Sequence, residues 1–257
     1  MIISRRFVRV WQRNLTVYRR IWHISFIPPL LEPVLYLLAF GVGLGALVGK
    51  IVFEGGEYSY SQFIAPALIA ITIMYGGFFE NTYASFVRMY YQKTFDAMLA
   101  TPLRIEEIIT GEIVWGATKS VIATALMMAV ISLFGLIRYP EGLLLLPIAL
   151  LGGLAFGSLG MFFTAIVPSI ETFNLPMFLA ITPMFLFGGT FFPLETLPVW
   201  AQKAAMALPL THLVVLARSF SLGLLDAHLL VSAAYLAVFA AVFFPLAVVL
   251  MRRRLIK

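Results

Sequence analysis

Six long apolar runs constrain this chain more than any motif does. Each is roughly 20 residues long, the length at which a helix crosses the hydrocarbon core of a bilayer. Of the 257 residues, 61% are hydrophobic and only 12% are charged, which leaves no room for a soluble catalytic domain. We predict an all-α membrane protein with residues 1–257 as a single domain. The predicted spans are Phe26–Gly49, Phe63–Tyr83, Ile113–Leu136, Leu143–Val167, Phe173–Phe192 and Leu229–Met251.

Basic residues orient these spans. They are concentrated before the first span, between spans two and three, and after the last span. Because cytoplasmic loops carry an excess of Lys and Arg, both termini are expected in the cytoplasm. The same rule accounts for the formal net charge of +6, so we expect no nucleic-acid partner. No cleaved signal peptide is expected.

Residues 1–24 are predicted to form an amphipathic helix in the membrane interface. Aromatic and apolar residues, Trp11 among them, recur every three or four positions, and arginines such as Arg13, Arg19 and Arg20 occupy the remaining arc. A cationic helix with aromatic anchors lies against lipid headgroups rather than crossing the bilayer. The alternative is a plain topology signal with no partner.

The cytoplasmic segment 85–112 is predicted to form two short helices. Proline disfavours helix in the residue before it. The first helix should therefore end before Thr101, which caps a second helix that begins with Pro102. A short amphipathic helix of mixed charge suits docking into a groove on a partner. A solvated connector is the alternative.

Four ionisable residues, Glu32, Glu80, Glu112 and Lys119, lie inside or at the ends of the predicted spans. Such groups are costly in a membrane and normally pair or face a wet cavity. Lys119 follows Glu112 by seven residues on the same helical face, and we expect one of the carboxylates to neutralise it. The group is either a structural junction or a substrate contact.

Small residues in the fourth span, Ala149, Gly153 and Gly157, predict a face where helix backbones approach closely. Packing within one subunit is the default interpretation. A contact between subunits is the alternative.

Residues 193–226 are too apolar for a solvated loop and too interrupted for a straight span. Pro193 and Pro209 each remove a backbone donor, and His212 and Arg218 lie among apolar residues. Irregular backbone at membrane depth must be buried in protein or line a cavity. The region is therefore predicted to be an external re-entrant hairpin before the last span.

Enzyme and metal patterns fail in this sequence. Two glycines and Lys50 resemble a phosphate-binding loop, but the glycines are one residue too close and Ile51 replaces the required Ser or Thr. Ser158 and His228 resemble an intramembrane protease dyad, but Phe156 replaces the glycine of its motif. The three histidines are too scattered for a metal site. We expect no catalytic residue, metal site or cofactor in this chain.

Residues 209–218 resemble the signature of bacterial ABC-2 type transporter permeases. Pro209-Leu210-Thr211-His212 and, after five residues, Arg218 carry that resemblance. Segments over nearly the whole chain are similar to nodulation-type lipo-oligosaccharide exporter permeases. These segments are Glu32–Tyr36, Gly41–Gly45, Thr94–Leu99, Gly111–Lys119 and Arg252–Leu255, whereas Gly188–Pro193 is the usual approach to the ABC-2 signature.

This resemblance implies a six-span permease of the bacterial inner membrane with a cytoplasmic coupling helix between spans two and three. It also implies a dimer, here expected to be a homodimer, driven by a separate ATPase that binds ATP and magnesium. The resemblance makes Pro193, Pro209, His212 and Arg218 an external gate. The residues then expected to contact the ATPase are Lys93, Thr94, Phe95, Asp96, Met98, Thr101 and Pro102.

The implied cargo is a lipid-linked or lipo-oligosaccharide, or another amphiphile. Export of a drug or other hydrophobic compound is the near alternative. Two more distant hypotheses are a secondary transporter and an intramembrane enzyme. The chain lacks evident inverted repeats with paired broken spans, which counts against a secondary transporter. The failed enzyme motifs count against an intramembrane enzyme.

Overall fold

The computed structural model describes residues 4–256, and helices dominate it. Several side chains between residues 24 and 46, that of Glu32 among them, lie outside the described part, so the predicted role of Glu32 does too. The main helices are α1 (Phe7–Tyr36), α2 (Tyr60–Tyr91), α3 (Thr94–Leu99), α4 (Ile105–Leu133), α5 (Glu141–Ile166), α6 (Ile170–Phe187), α7 (Val199–Met206), α8 (Pro209–Leu222) and α9 (His228–Leu255).

Five helices in the described part, α2, α4, α5, α6 and α9, are long and apolar enough to cross a membrane. They correspond to predicted spans two to six, so the prediction of a multi-pass membrane protein is confirmed. Helices α7 and α8 form a pair bent by 88°, which brings the count to six if the pair is one broken span. The bend rules out a straight span in the predicted re-entrant region.

Helix α1 covers both the predicted interfacial segment 1–24 and the start of the predicted first span. It continues into π-helical turns over Leu37–Leu44 and a short helix over Gly45–Val48. The predicted division near residue 25 is therefore wrong. No glycine or proline interrupts residues 7–27, so nothing in that segment breaks the helical hydrogen bonding.

A short β-hairpin corrects the all-α prediction. Strands β1 (Lys50–Phe53) and β2 (Gly56–Ser59) are antiparallel, and Lys50 lies opposite Ser59. Glu54 and Gly55 turn the chain with φ angles of 46° and 76°, as hairpin turns with positive φ at both central residues require. Four-residue strands are too short for their alternation to stand out beside an apolar span.

The core lies where α2, α4 and α5 meet, with α1 packed on α4, α9 on α5, and α8 against α2 and α9. Helix backbones approach closely at this crossing. A Cβ atom on Gly77 would lie 2.8 Å from the carbonyl oxygen of Gly153, and one on Gly153 would lie 2.7 Å from the Cα atom of Ala117. The predicted small-residue face of the fourth span therefore packs inside the subunit.

Gly153→Val should destabilise the protein by about 1–3 kcal/mol, because overpacking forces the backbones of α4 and α5 apart. The free energy of unfolding can be measured by denaturation in mixed micelles. Gly43→Val is the matched control, since the closest atom to its added Cβ, the oxygen of Leu38, is 3.9 Å away. Equal loss in both variants would contradict the close-packing interpretation.

Candidate functional site: ion network, α2–α4 connection and broken helix pair

A buried ion network of Glu80, Arg88, Glu112 and Lys119 joins α2 to α4. The Nη1 atom of Arg88 lies 2.8 Å from Glu80 Oε1, and its Nη2 atom lies 2.5 Å from Glu112 Oε2. Lys119 Nζ lies 2.7 Å from Glu80 Oε2. Lys119 thus pairs with a carboxylate, as we expected, and the partner is Glu80 rather than Glu112.

All four carboxylate oxygens of the network accept hydrogen bonds. Besides Arg88 and Lys119, Glu80 accepts from Trp115 Nε1 at 3.0 Å. Glu112, whose side chain is fully buried, accepts from Asn14 Nδ2 at 2.8 Å. Because Asn14 belongs to α1, the network binds three helices together. It also borders π-helical turns that begin at Glu80, and such turns are frequent at functional sites.

Sequence analysis did not single out Arg88 as a site residue. The predicted second span ended at Tyr83, which left Arg88 as a loop charge that only marked topology. Helix α2 continues to Tyr91, so Arg88 lies on a helix beside two buried carboxylates. Its position eight residues after Glu80, about two helical turns, was the available signal.

The predicted interfacial residues of α1 divide into two groups. Trp11 contacts protein, because its Nε1 atom donates to Thr118 Oγ1 on α4 at 3.0 Å. The ring is half-buried, so its predicted role as an interfacial anchor stays a prediction. Arg13 is half-buried beside Asn14, whereas Arg19 and Arg20 are exposed.

Residues 92–104, which we name the α2–α4 connection, are shorter than the predicted segment 85–112. Helix α4 begins at Ile105, and the Glu107 carboxylate accepts from the backbone N–H of Arg104 at 2.9 Å. The predicted second helix starting at Thr101 and Pro102 is therefore wrong. Glu107 stabilises the start of the helix at Ile105, because it accepts a hydrogen bond from a backbone N–H that the first turn leaves unpaired.

The α2–α4 connection exposes most of the residues predicted to contact an ATPase. Phe95 is the exception, because its side chain is fully buried in an apolar cluster. Phe95 holds α3 on the protein, and its predicted contact role does not fit. The exposed residues are Lys93, Asp96, Thr101 and Pro102, and the half-buried ones are Thr94 and Met98.

Both ends of the described chain lie beside this connection, the first at Pro102 and the last at Glu106 in the first turn of α4. Arg6 Nη1 donates to the carbonyl oxygen of Pro102 at 2.8 Å. Arg252, near the end of α9, lies 3.4 Å from Glu106. A groove of 650 Å³ separates the α3–α4 turn from the end of α9. The connection, the start of α1 and the end of α9 thus form one face.

His212 supports the broken helix pair at its bend. Its Nε2 atom donates to the carbonyl oxygen of Met206, the last residue of α7, at 2.9 Å. Its ring stacks on Tyr235 with the centroids 4.0 Å apart. The Tyr235 hydroxyl in turn donates to the carbonyl oxygen of Ala207 at 2.6 Å. These bonds satisfy carbonyls that the end of α7 leaves unpaired.

Arg218 holds α8 to the rest of the protein through backbone carbonyls. Its Nε atom donates to Phe63 at 3.2 Å, and its Nη2 atom donates to Gly189 at 2.9 Å. The buried guanidinium also lies 3.7 Å from the ring centre of Phe63. Pro209 is the first residue of α8, and Pro193 follows the turn at Gly189. Both signature side chains therefore donate to backbone carbonyls, His212 at the end of α7 and Arg218 on α2 and at the turn after α6.

Comparison with known proteins settles the family. The ABC-2 type transporter model matches residues 5–222. The chain belongs to the ABC-2 type transporter family. As a transport permease it is not a catalytic enzyme, and permeases of this family work with a cytoplasmic ABC ATPase. The predicted family resemblance is thereby confirmed.

Alignments with individual relatives cover nearly the whole permease. It is 37% identical to Nodulation protein J of Rhizobium leguminosarum bv. trifolii over 254 residues, which cover 99% of this chain and 95% of that protein. It is 36% identical to Nodulation protein J of Rhizobium meliloti strain 1021, with 96% and 93% covered. Inner membrane transport permease YadH of Escherichia coli K12 is 24% identical over 235 residues, 91% of this chain and 90% of that protein.

Arg88→Met should destabilise the permease by about 3–5 kcal/mol, because it leaves buried carboxylates without their partner. The double variant Arg88→Met with Glu112→Gln should lose less free energy of unfolding, since it also removes one of the two unpaired buried charges. Unfolding of each variant in mixed micelles tests this order. A double variant less stable than the single one would contradict the pairing.

Arg218→Lys should destabilise the region around α8 by about 1.5–3 kcal/mol, because an ammonium cannot reproduce the planar fork that reaches both carbonyls. Protection of α8 amides in hydrogen exchange reports this change. Arg138→Lys is the matched control, because Arg138 is exposed. Undiminished protection in Arg218→Lys would show that the two carbonyl bonds do not hold α8.

Proposed function

We propose that this chain is the membrane-spanning subunit of an ATP-driven exporter for a lipid-linked or lipo-oligosaccharide amphiphile. The observation that carries the proposal is 37% identity to Nodulation protein J over nearly the whole length of both proteins. The segments that resemble lipo-oligosaccharide exporter permeases support the cargo class. The described residues form no cluster of metal ligands and display no catalytic motif.

In this proposal the α2–α4 connection receives the separate ATPase. Asp96, Thr101 and Pro102 are exposed there, and the start of α1 and the end of α9 extend the same face. Movement of the connection reaches α4 directly and reaches α1 through Arg6. The movement then passes to α2 through the ion network of Glu80, Arg88, Glu112 and Lys119.

The positive-inside rule supports placing both termini and the connection in the cytoplasm of a bacterium, with the permease in the inner membrane. The exposed Arg19 and Arg20 then contact lipid headgroups, and the α7–α8 pair forms the external gate. We infer a homodimer, because α6 exposes large apolar residues such as Phe178 and Leu179, at 71% and 76%, which a second copy can cover.

Reconstitution tests this function. The permease should purify with a stoichiometric ATPase, and vesicles containing both should move a fluorescent lipo-oligosaccharide only with ATP. Flux driven by a proton gradient through the permease alone would refute the exporter and favour a secondary transporter. ATP-driven flux of hydrophobic dyes without flux of glycolipid would support the exporter permease but exclude a lipo-oligosaccharide as its cargo.

Asp96→Arg should lower ATP-driven flux at least about tenfold, because it reverses a charge on the face that meets the ATPase. Co-purification of the ATPase should fall in parallel. Glu57→Arg is the control with the same charge change, since Glu57 lies in the hairpin and is exposed. Equal flux for both variants would show that Asp96 does not contribute to the contact with the ATPase.

A further inference from the structure

A cleft of 470 Å³ opens between α1 and the end of α2, above the ion network. Its charged lining consists of Arg13, Glu80, Arg88 and Lys119. The cleft is distinct from the groove at the α2–α4 connection and from the broken helix pair. It is therefore a site that neither the coupling face nor the external gate uses.

The charges around this cleft do not balance. Arg13, Arg88 and Lys119 supply three cations, whereas Glu80 and Glu112 supply two carboxylates. All four carboxylate oxygens already accept hydrogen bonds within the described part of the chain. One positive charge is left in excess, and no carboxylate oxygen is left without a donor.

Hydrogen-bond donors, by contrast, remain available. Among the described residues Lys119 donates one hydrogen bond, to Glu80, although an ammonium has three donors, and its side chain is 34% exposed. Within the part of the chain that the structure describes, Arg13 donates one side-chain hydrogen bond, to Asn14 Oδ1 at 2.8 Å, although a guanidinium has five donors. Spare cationic donors beside carboxylates that are already paired suit an anion, particularly one with several oxygens.

The wall of the cleft on α1 is apolar. Val17 and Ile21 line it one helical turn apart and are 45% and 47% exposed. An alkyl chain along this wall would remove their apolar surface from water or from headgroups. The cleft thus places an anion-binding end beside a surface for a hydrocarbon chain.

We propose that this cleft binds an anionic amphiphile, with a phosphate-type headgroup at Arg13 and Lys119 and its chain against Val17 and Ile21. An anionic membrane lipid and an anionic exported amphiphile share this chemistry. The assignment does not require that the amphiphile be the cargo.

Native mass spectrometry of the intact permease tests the site by comparing retention of phosphatidylglycerol with that of phosphatidylcholine. Phosphatidylglycerol should be preferred. Arg13→Gln and Lys119→Met should each lower its apparent affinity about tenfold, the order expected for one charge-assisted hydrogen bond, without changing that of phosphatidylcholine. Arg13→Gln keeps the test decisive if Lys119→Met fails to fold, because Arg13 forms no ion pair with Glu80 or Glu112.

Arg9→Gln is the matched control. It removes the same charge from an exposed position one turn from Arg13 on α1, outside the cleft. An equal loss in Arg9→Gln, or no preference for phosphatidylglycerol in the unmodified permease, would overturn the proposal by showing that only general surface charge acts.

Two further probes separate the sources of the ligand. Undecaprenyl phosphate held more tightly than phosphatidylglycerol, with the loss in Arg13→Gln retained, supports the site and assigns it to a lipid-linked cargo. The reverse order supports the site and assigns it to membrane lipid. Inorganic phosphate that displaces either amphiphile at comparable concentration would refute the chain-binding wall at Val17 and Ile21.

Discussion

The guanidinium of Arg88 between Glu80 and Glu112 is the contact on which the arrangement of α1, α2 and α4 depends. Ions withdrawn from water are costly unless each is paired and its remaining hydrogen bonds are made. That condition is met only when the three helices occupy their observed positions, because Asn14 of α1 and Lys119 of α4 supply the last bonds. Shifting one helix alone would leave a buried carboxylate oxygen without its donor, Glu112 Oε1 if α1 moved and Glu80 Oε2 if α4 moved.

The same helices carry the face proposed to meet the ATPase. Helix α4 begins at the α2–α4 connection and continues to Glu112, while α1 begins beside Pro102 and continues to Asn14. A partner can shift this assembly only if it binds two conformations with different free energies. The ion network favours movement of α2 and α4 as a unit, because two ion pairs join these helices, whereas Asn14 of α1 reaches Glu112 through one hydrogen bond to a neutral amide.

Sequence reasoning found what apolar length and proline position determine. It located α2, α4, α5, α6 and α9, and it found the bend before Pro209. It missed features that depend on tertiary contacts. Phe95 is apolar on a short helix whether it faces core or partner, and only packing decides. The bond from Trp11 to Thr118 on α4 is likewise a tertiary contact that the helical spacing of Trp11 could not indicate. The role of Arg88 was missed because its charge favoured ending the predicted span at Tyr83, whereas α2 continues to Tyr91.

Buried arginines at the two ends of the permease are satisfied by different partners. At the ion network, arginine is paired with carboxylates, whereas Arg218 is held by the carbonyls of Phe63 and Gly189. His212 likewise binds the carbonyl at the end of α7. Hinging between α7 and α8 would separate His212 from Met206 and leave that carbonyl at the end of α7 without its donor. For the proposed opening at this end, we therefore expect α7 and α8 to move as one body, which keeps the His212 bond and separates Arg218 from Phe63 of α2.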